Sequence, residues 1–135
     1  MNALNLSLTI GLPALASLAA AQNVIVDGRL VAFDVPPKMI NGTLMVPARN
    51  LFEATGADMR WRMDRAVLES LRKGNRIEMW VGSRQARLND RRWDLDQAPF
   101  EEHGRIYAPL SFLAAGMRYT ISLEHGDYIL RQTTR

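Results

Sequence analysis

The 135-residue chain contains no cysteine. That absence removes disulfide frameworks, zinc–thiolate sites, thiol catalysis and acylated-cysteine anchors together. Histidine is nearly as scarce: His103 and His125 are the only two, each beside a glycine in a turn signal. Two histidines far apart in sequence, with no ligand-spaced partner, do not make a copper or zinc site unaided, so neither metal nor cofactor is expected. Nucleophilic catalysis needs a nucleophile beside a base. Ser111, within Ala108-Pro109-Leu110-Ser111-Phe112-Leu113, lacks the flanking glycines of a nucleophile elbow and reads as a small residue on a helix. The carboxylates Asp94, Asp96, Glu101 and Glu102 read as solvated strand ends rather than a glycosidase pair. Lysine is scarce too: 15 of the 17 basic residues are arginine, and the net charge is only +3. A charge that small, without a basic tract, excludes a nucleic-acid binder while permitting weak attraction to anionic surfaces.

Charge is missing altogether from Met1 to Ala21, a leucine-rich lead that ends in Ala19-Ala20-Ala21 before Gln22. This pattern predicts a secretory signal peptide over 1–21, leaving 22–135 as one domain. The lead is punctuated by Asn5, Ser7, Thr9, Gly11, Pro13 and Ser17, which makes it short for a stable membrane span.

The most informative stretch runs from Ile40 to Trp61. Asn41-Gly42 is a turn signal, and Leu44-Met45-Val46 is a short apolar strand that Pro47 ends. Pro47 suits the first turn of a helix and Gly56 its left-handed end, so a helix is expected over 48–55. Its periodicity puts Ala48, Leu51, Phe52 and Thr55 on the core face, with Arg49, Asn50 and Glu53 outside. Ala57 to Trp61 then alternates as a half-buried strand. The same grammar returns from His103 to Tyr119: Gly42 and Gly104, and Pro47 and Pro109, stand 62 positions apart (104 − 42, 109 − 47). A second helix is expected over about 110–115, closed by Gly116. Two such units, about 24–81 and 84–131, imply one pseudo-symmetric domain, since neither could bury its apolar face alone.

The residues that carry this grammar resemble the copper amine oxidase N-terminal-like, or stalk, domain family. Its units read as hydrophobic-x-hydrophobic before Asn-Gly, a strand, Pro-x-Arg, a short helix, Leu-Gly-Ala and a strand ending in tryptophan. The matching positions are Gly42, Pro47, Arg49, Gly56 and Trp61 in the first copy, and Gly104, Pro109 and Gly116 in the second. The second copy departs from the pattern at Ser111, where arginine is expected, at Glu101-Glu102, which replace the apolar pair, and at Gly116-Met117, where alanine should follow the glycine. The resemblance implies a fold and an extracytoplasmic setting, not the oxidase chemistry of the family name.

The remaining strands are expected at 24–26, 30–35, 66–71, 76–81, 85–88, 92–95, 118–123 and 128–131, many of them joined by two-residue turns. The fold class is therefore α+β, with mostly antiparallel strands and two short helices built from the two repeats. Phase assigns Trp61 and Trp93 to the core and leaves Trp80 as the exposed aromatic. Arg60, Arg62, Arg84, Arg87, Arg91 and Arg92 fall on outer strand faces and, with Trp80, form the candidate binding surface. Arg49 is expected to pair with Asp34 or Asp58 and pin helix to sheet. These features favour a secreted, noncatalytic, envelope-associated interaction module whose partner is an anionic cell-envelope polymer or a secreted protein, with a homodimer left open. An inhibitor of a secreted protease, offering a stiff Pro37–Asn41 loop, is the alternative, and a small hydrolase a more distant one.

Overall fold

Two-residue turns set the register of most strand pairs. The computed structural model describes residues 22–62, 67–72 and 74–133; the expected signal peptide, 1–21, lies outside the described residues. Asp27-Gly28 (φ 51° and 81°) joins β1 (Asn23–Val26) to β2 (Arg29–Leu30), and Asn41-Gly42 (φ 48° and 82°) joins β3 (Lys38–Ile40) to β4 (Thr43–Pro47). With both central residues at positive φ, such turns match the right-handed twist of the strands, and Asx-Gly adopts them at least cost. Similar turns at Asn89-Asp90, His103-Gly104 and His125-Gly126 join β8 (Gln85–Leu88) to β9 (Arg91–Asp94), β10 (Phe100–Glu102) to β11 (Arg105–Pro109), and β12 (Tyr119–Glu124) to β13 (Asp127–Gln132). Between these lie β5 (Asp58–Arg62), β6 (Val67–Arg72) and β7 (Asn75–Trp80). The helices are α1 (Ala48–Thr55) and α2 (Leu110–Gly116). The fold is α+β and almost wholly antiparallel, as the sequence predicts.

Three sheets share one core, ordered β12-β13-β1-β2, β10-β11-β4-β3 and β5-β6-β7-β8-β9. In the sheet β10-β11-β4-β3 Val46 lies opposite Ala108, Pro47 opposite Tyr107 and Met45 opposite Pro109. Exchanging positions 62 apart maps this register onto itself. The order of elements from β1 to β6 is met again from β8 to β13. The other two sheets differ at one point. β13 pairs directly and in parallel with β1, whereas β7 stands between their counterparts, β6 and β8.

The core gathers Leu44, Val46, Leu51, Phe52, Ile77, Met79, Phe112, Leu113 and Leu130, all buried. The predicted inner face of α1 is buried at every position, and Pro47 sits as its extended N-cap, with Gly56 at φ 76° as the left-handed C-cap. Three expectations are corrected. The strand expected over 30–35 stops at Leu30; beyond Val31 the chain bends so that Phe33 packs against the core and Asp34 reaches α1. Asn50, expected outside, is buried, because its amide both donates to Asp34 and accepts from the Asp34 backbone N–H (3.3 and 3.4 Å). Trp93, expected in the core, is 38% exposed; it lies in core phase on the marginal strand β9, where the ring of Phe112 meets it edge-on (5.4 Å).

Gly116 also differs from its expected role. It is helical, and Arg118 takes the left-handed conformation instead (φ 64°). A Cβ on Gly116 would stand 2.2 Å from Ile77 Cγ2, whereas around Gly56 there is open space. Glycine here lets α2 approach β7. Gly116→Ala should therefore cost about 1–3 kcal/mol through overpacking, read by chemical denaturation. Ile77→Leu, which removes the offending branched methyl, should recover part of that loss in the double variant.

Arg72, at the end of β6, joins both halves. Its Nε donates to Thr55 O (2.9 Å) and its Nη1 to Met117 O (2.8 Å), the carbonyls at the ends of α1 and α2. The guanidinium lies 5.0 Å over the Tyr119 ring, and Nη2 reaches the Tyr119 hydroxyl, which donates to Asp27 Oδ2 (2.7 Å). Burial pushes the Tyr119 pKa up, and its bond to Asp27 adds to the effect.

Candidate functional site

Cross-strand register decides which of the candidate arginines share a face. Opposite positions on antiparallel neighbours project from the same side of a sheet. In the five-stranded sheet the register puts Arg60, Glu78, Arg87 and Arg92 in one row, and Trp61, Met79, Ala86 and Trp93 in the next. Met79 and Ala86 are buried, so the second row faces the core and the first faces solvent. Trp80 pairs through Val67 with Arg62 and belongs to the solvent side, where the sequence phase places it, and it is half-buried.

The candidate surface is therefore split. Arg60 and Arg62 lie on β5 and Arg87 and Arg92 on β8 and β9, so the two groups are separated by up to four strand spacings, about 19 Å. Glu78 stands between them, paired with Arg76 (3.5 Å). Arg84 lies before β8 with its Nε donating to Leu95 O (2.9 Å), which makes it partly a structural tie. Arg91 follows the core-side row of Met59, Ile77 and Leu88 and is exposed only because β9 is marginal. Arg62 is half-buried, and its Nε has no hydrogen-bond partner among the described residues.

What the register does bring together is Trp80, Arg87 and Arg92, with Ser83 and Gln85, around an open depression of about 230 Å³. Arg87 and Arg92 stand directly opposite one another. The Arg87 guanidinium lies 5.9 Å over the Trp80 ring, and Arg92 is bonded by Asp94 (3.1 Å). The Ser83 hydroxyl accepts the Gln85 backbone N–H (3.1 Å), which leaves its own proton available.

Arg49 does not make the expected pair. It is exposed at the start of α1, beside a cleft of about 120 Å³ shared with Met59, Trp61, Glu101, Arg105 and Ile106. Asp34 is held instead by Arg105, through Nε (3.0 Å) and Nη2 (2.6 Å), and by Asn50. These bonds, that of Arg105 foremost, hold the Asp34 carboxyl below the ordinary aspartate range. Pinning of helix to sheet thus falls to Asn50 and Arg105. Their spacings from Asp34, 16 and 71 residues, leave no local sequence signal. His103 and His125 lie exposed in their turns, as expected, and Ser111 is exposed on α2. Among the described residues, no three His, Cys, Asp or Glu side chains gather to hold a metal ion.

Compared with known families, residues 25–130 match the copper amine oxidase N-terminal domain. No curated protein matches the chain.

Proposed function

The chain belongs to the copper amine oxidase N-terminal domain family, and from that membership and the surface described above we propose that it is an exported interaction module of the cell envelope that attracts anionic polymer. The family's domain is noncatalytic, which supports a role in attachment rather than turnover. The carrying observation is the pair Arg87 and Arg92, exposed and directly opposite on the solvent face of the five-stranded sheet beside Trp80. Like charges in that position repel, and a bound anion relieves the repulsion. Export, with the mature chain beginning at Gln22, belongs to the same proposal.

The rival inhibitor reading loses its structural premise. The segment it offers as a loop is strand β3 over Lys38–Ile40, paired along β4 at Met45, Leu44 and Thr43.

The small net charge makes the attraction weak and screened. Binding to purified anionic wall polymer should fall steeply as the Debye length shrinks from ~30 Å at low salt to ~8 Å at physiological salt. The double variant Arg87→Ala/Arg92→Ala should remove most of the low-salt binding. Wild-type affinity in that variant would exclude the electrostatic surface.

A further inference from the structure

We infer that the depression around Trp80, Arg87 and Arg92 is a subsite for a carboxylated pyranose unit of an acidic glycan, an inference that rests on the anionic-polymer reading above and assigns its ligand. Charge alone would suit any polyanion; the arrangement at this site is more selective. Arg87 has no carboxylate partner among the described residues. Glu78, its cross-strand neighbour on one side, is paired with Arg76, and Arg92, its neighbour on the other, is a like charge. The Arg87 guanidinium is held instead over an indole, an arrangement that steadies it without neutralising it. A steadied planar fork is suited to two parallel N–H···O bonds with a carboxylate. Arg92 adds a second cation about one strand spacing away, with its Nε already committed to Asp94 Oδ1.

The indole itself supplies the second half of the recognition. Trp80 lies on the solvent side of β7 and is half-buried, so part of its apolar ring stays open to a ligand beside Arg87. The C–H face of a pyranose ring buries against such a surface, which an inorganic polyphosphate cannot do. The Ser83 proton and the exposed Gln85 amide lie at the rim, where sugar hydroxyls would need donors and acceptors. At about 230 Å³ the depression is smaller than the ~300–1,000 Å³ typical of drug-sized sites. It therefore suits one ring of a chain that continues along the surface.

The test uses the purified protein at about 150 mM salt, where long-range attraction is largely screened. The probes are oligogalacturonate, its methyl ester and inorganic polyphosphate. Oligogalacturonate should bind with a change in tryptophan fluorescence, and the ester and the polyphosphate should each bind at least about tenfold more weakly, a difference of about 1.4 kcal/mol. Trp80→Ala and Arg87→Gln should each lose about tenfold, while Arg29→Gln, a cation on another sheet, stays within about twofold of wild type. Should Trp80→Ala fail to fold, the exposed Arg87→Gln carries the test. Equal affinity for polyphosphate, or a folded Trp80→Ala variant that binds as wild type does, overturns the assignment. The broader reading then stands if Arg87→Ala/Arg92→Ala still abolishes low-salt binding to wall polymer. If that variant binds normally, both fall.

Discussion

Arg72→Ala should lower the free energy of unfolding by about 2–4 kcal/mol, the largest loss expected from any charged side chain among the described residues. Its guanidinium donates to the terminal carbonyls of both helices, groups that have no partner within their own helices. A cation at a helix C-terminus is further favoured by the helix dipole, and here one cation meets two such ends. Each charge-assisted bond is worth roughly 1.5–3 kcal/mol, and the half-exposed setting of Arg72 brings the sum toward the lower end. Arg72→Lys should recover only a minor part, since a single ammonium cannot span Thr55 O and Met117 O as the fork does. Urea denaturation of the two variants provides the measurement. A loss under about 1 kcal/mol for Arg72→Ala would show that water satisfies both carbonyls in its place.

The second large effect is apolar. Leu51 is fully buried on the inner face of α1, and Leu51→Ala should cost about 2–5 kcal/mol, the transfer term plus that of the cavity left behind. The helix has only eight residues, too few to be stable in isolation, so its existence depends on this face. The comparison is Leu123→Ala: Leu123 is 62% exposed on β12, and its loss should stay within about 0.5 kcal/mol. Thermal or chemical denaturation of both variants separates core from surface, and equal effects would mean that the α1 face is wrongly placed.

What was legible in the sequence was what neighbouring residues decide among themselves. Pro47 and Gly56 bracket α1 at the residues where the structure begins and ends it, because a missing N–H and a left-handed φ are local properties. The Asp27-Gly28 and Asn41-Gly42 hairpins are legible for the same reason. Trp80 could be placed on the solvent side from strand phase alone. The failures have the opposite character. Arg49 stands one residue from the buried Asn50, yet Asp34 is met by Asn50 and, from 71 residues away, by Arg105; no periodicity marks such a partner. Arg72 precedes an ordinary turn signal in the sequence, and its three acceptors come from Thr55, Met117 and Tyr119. Phase correctly put Trp93 on the inner side of its strand, but not that the strand lies at the sheet margin, where inner no longer means covered. The candidate arginines were scattered by the same limit: a face can be read along one strand, whereas a patch depends on which strands are neighbours and what stands between them.

The direct pairing of β1 with β13 has a mechanical consequence. The strands run parallel, Asn23 opposite Asp127 and Val26 opposite Leu130, and the Asp27 N–H to Leu130 O bond (3.2 Å) extends the ladder. Tension applied at the start of β1 and the end of β13 pulls them past one another along their length. The slanted bonds of the parallel ladder are then loaded together in shear, not opened one after another as in a peeled hairpin. Rupture under force is governed by the unfolding rate rather than by equilibrium stability, so a fold of modest thermodynamic stability can still resist extension between its ends. The other half, where β7 separates β6 from β8 by antiparallel hairpins, is shielded from that load as long as the clamp holds.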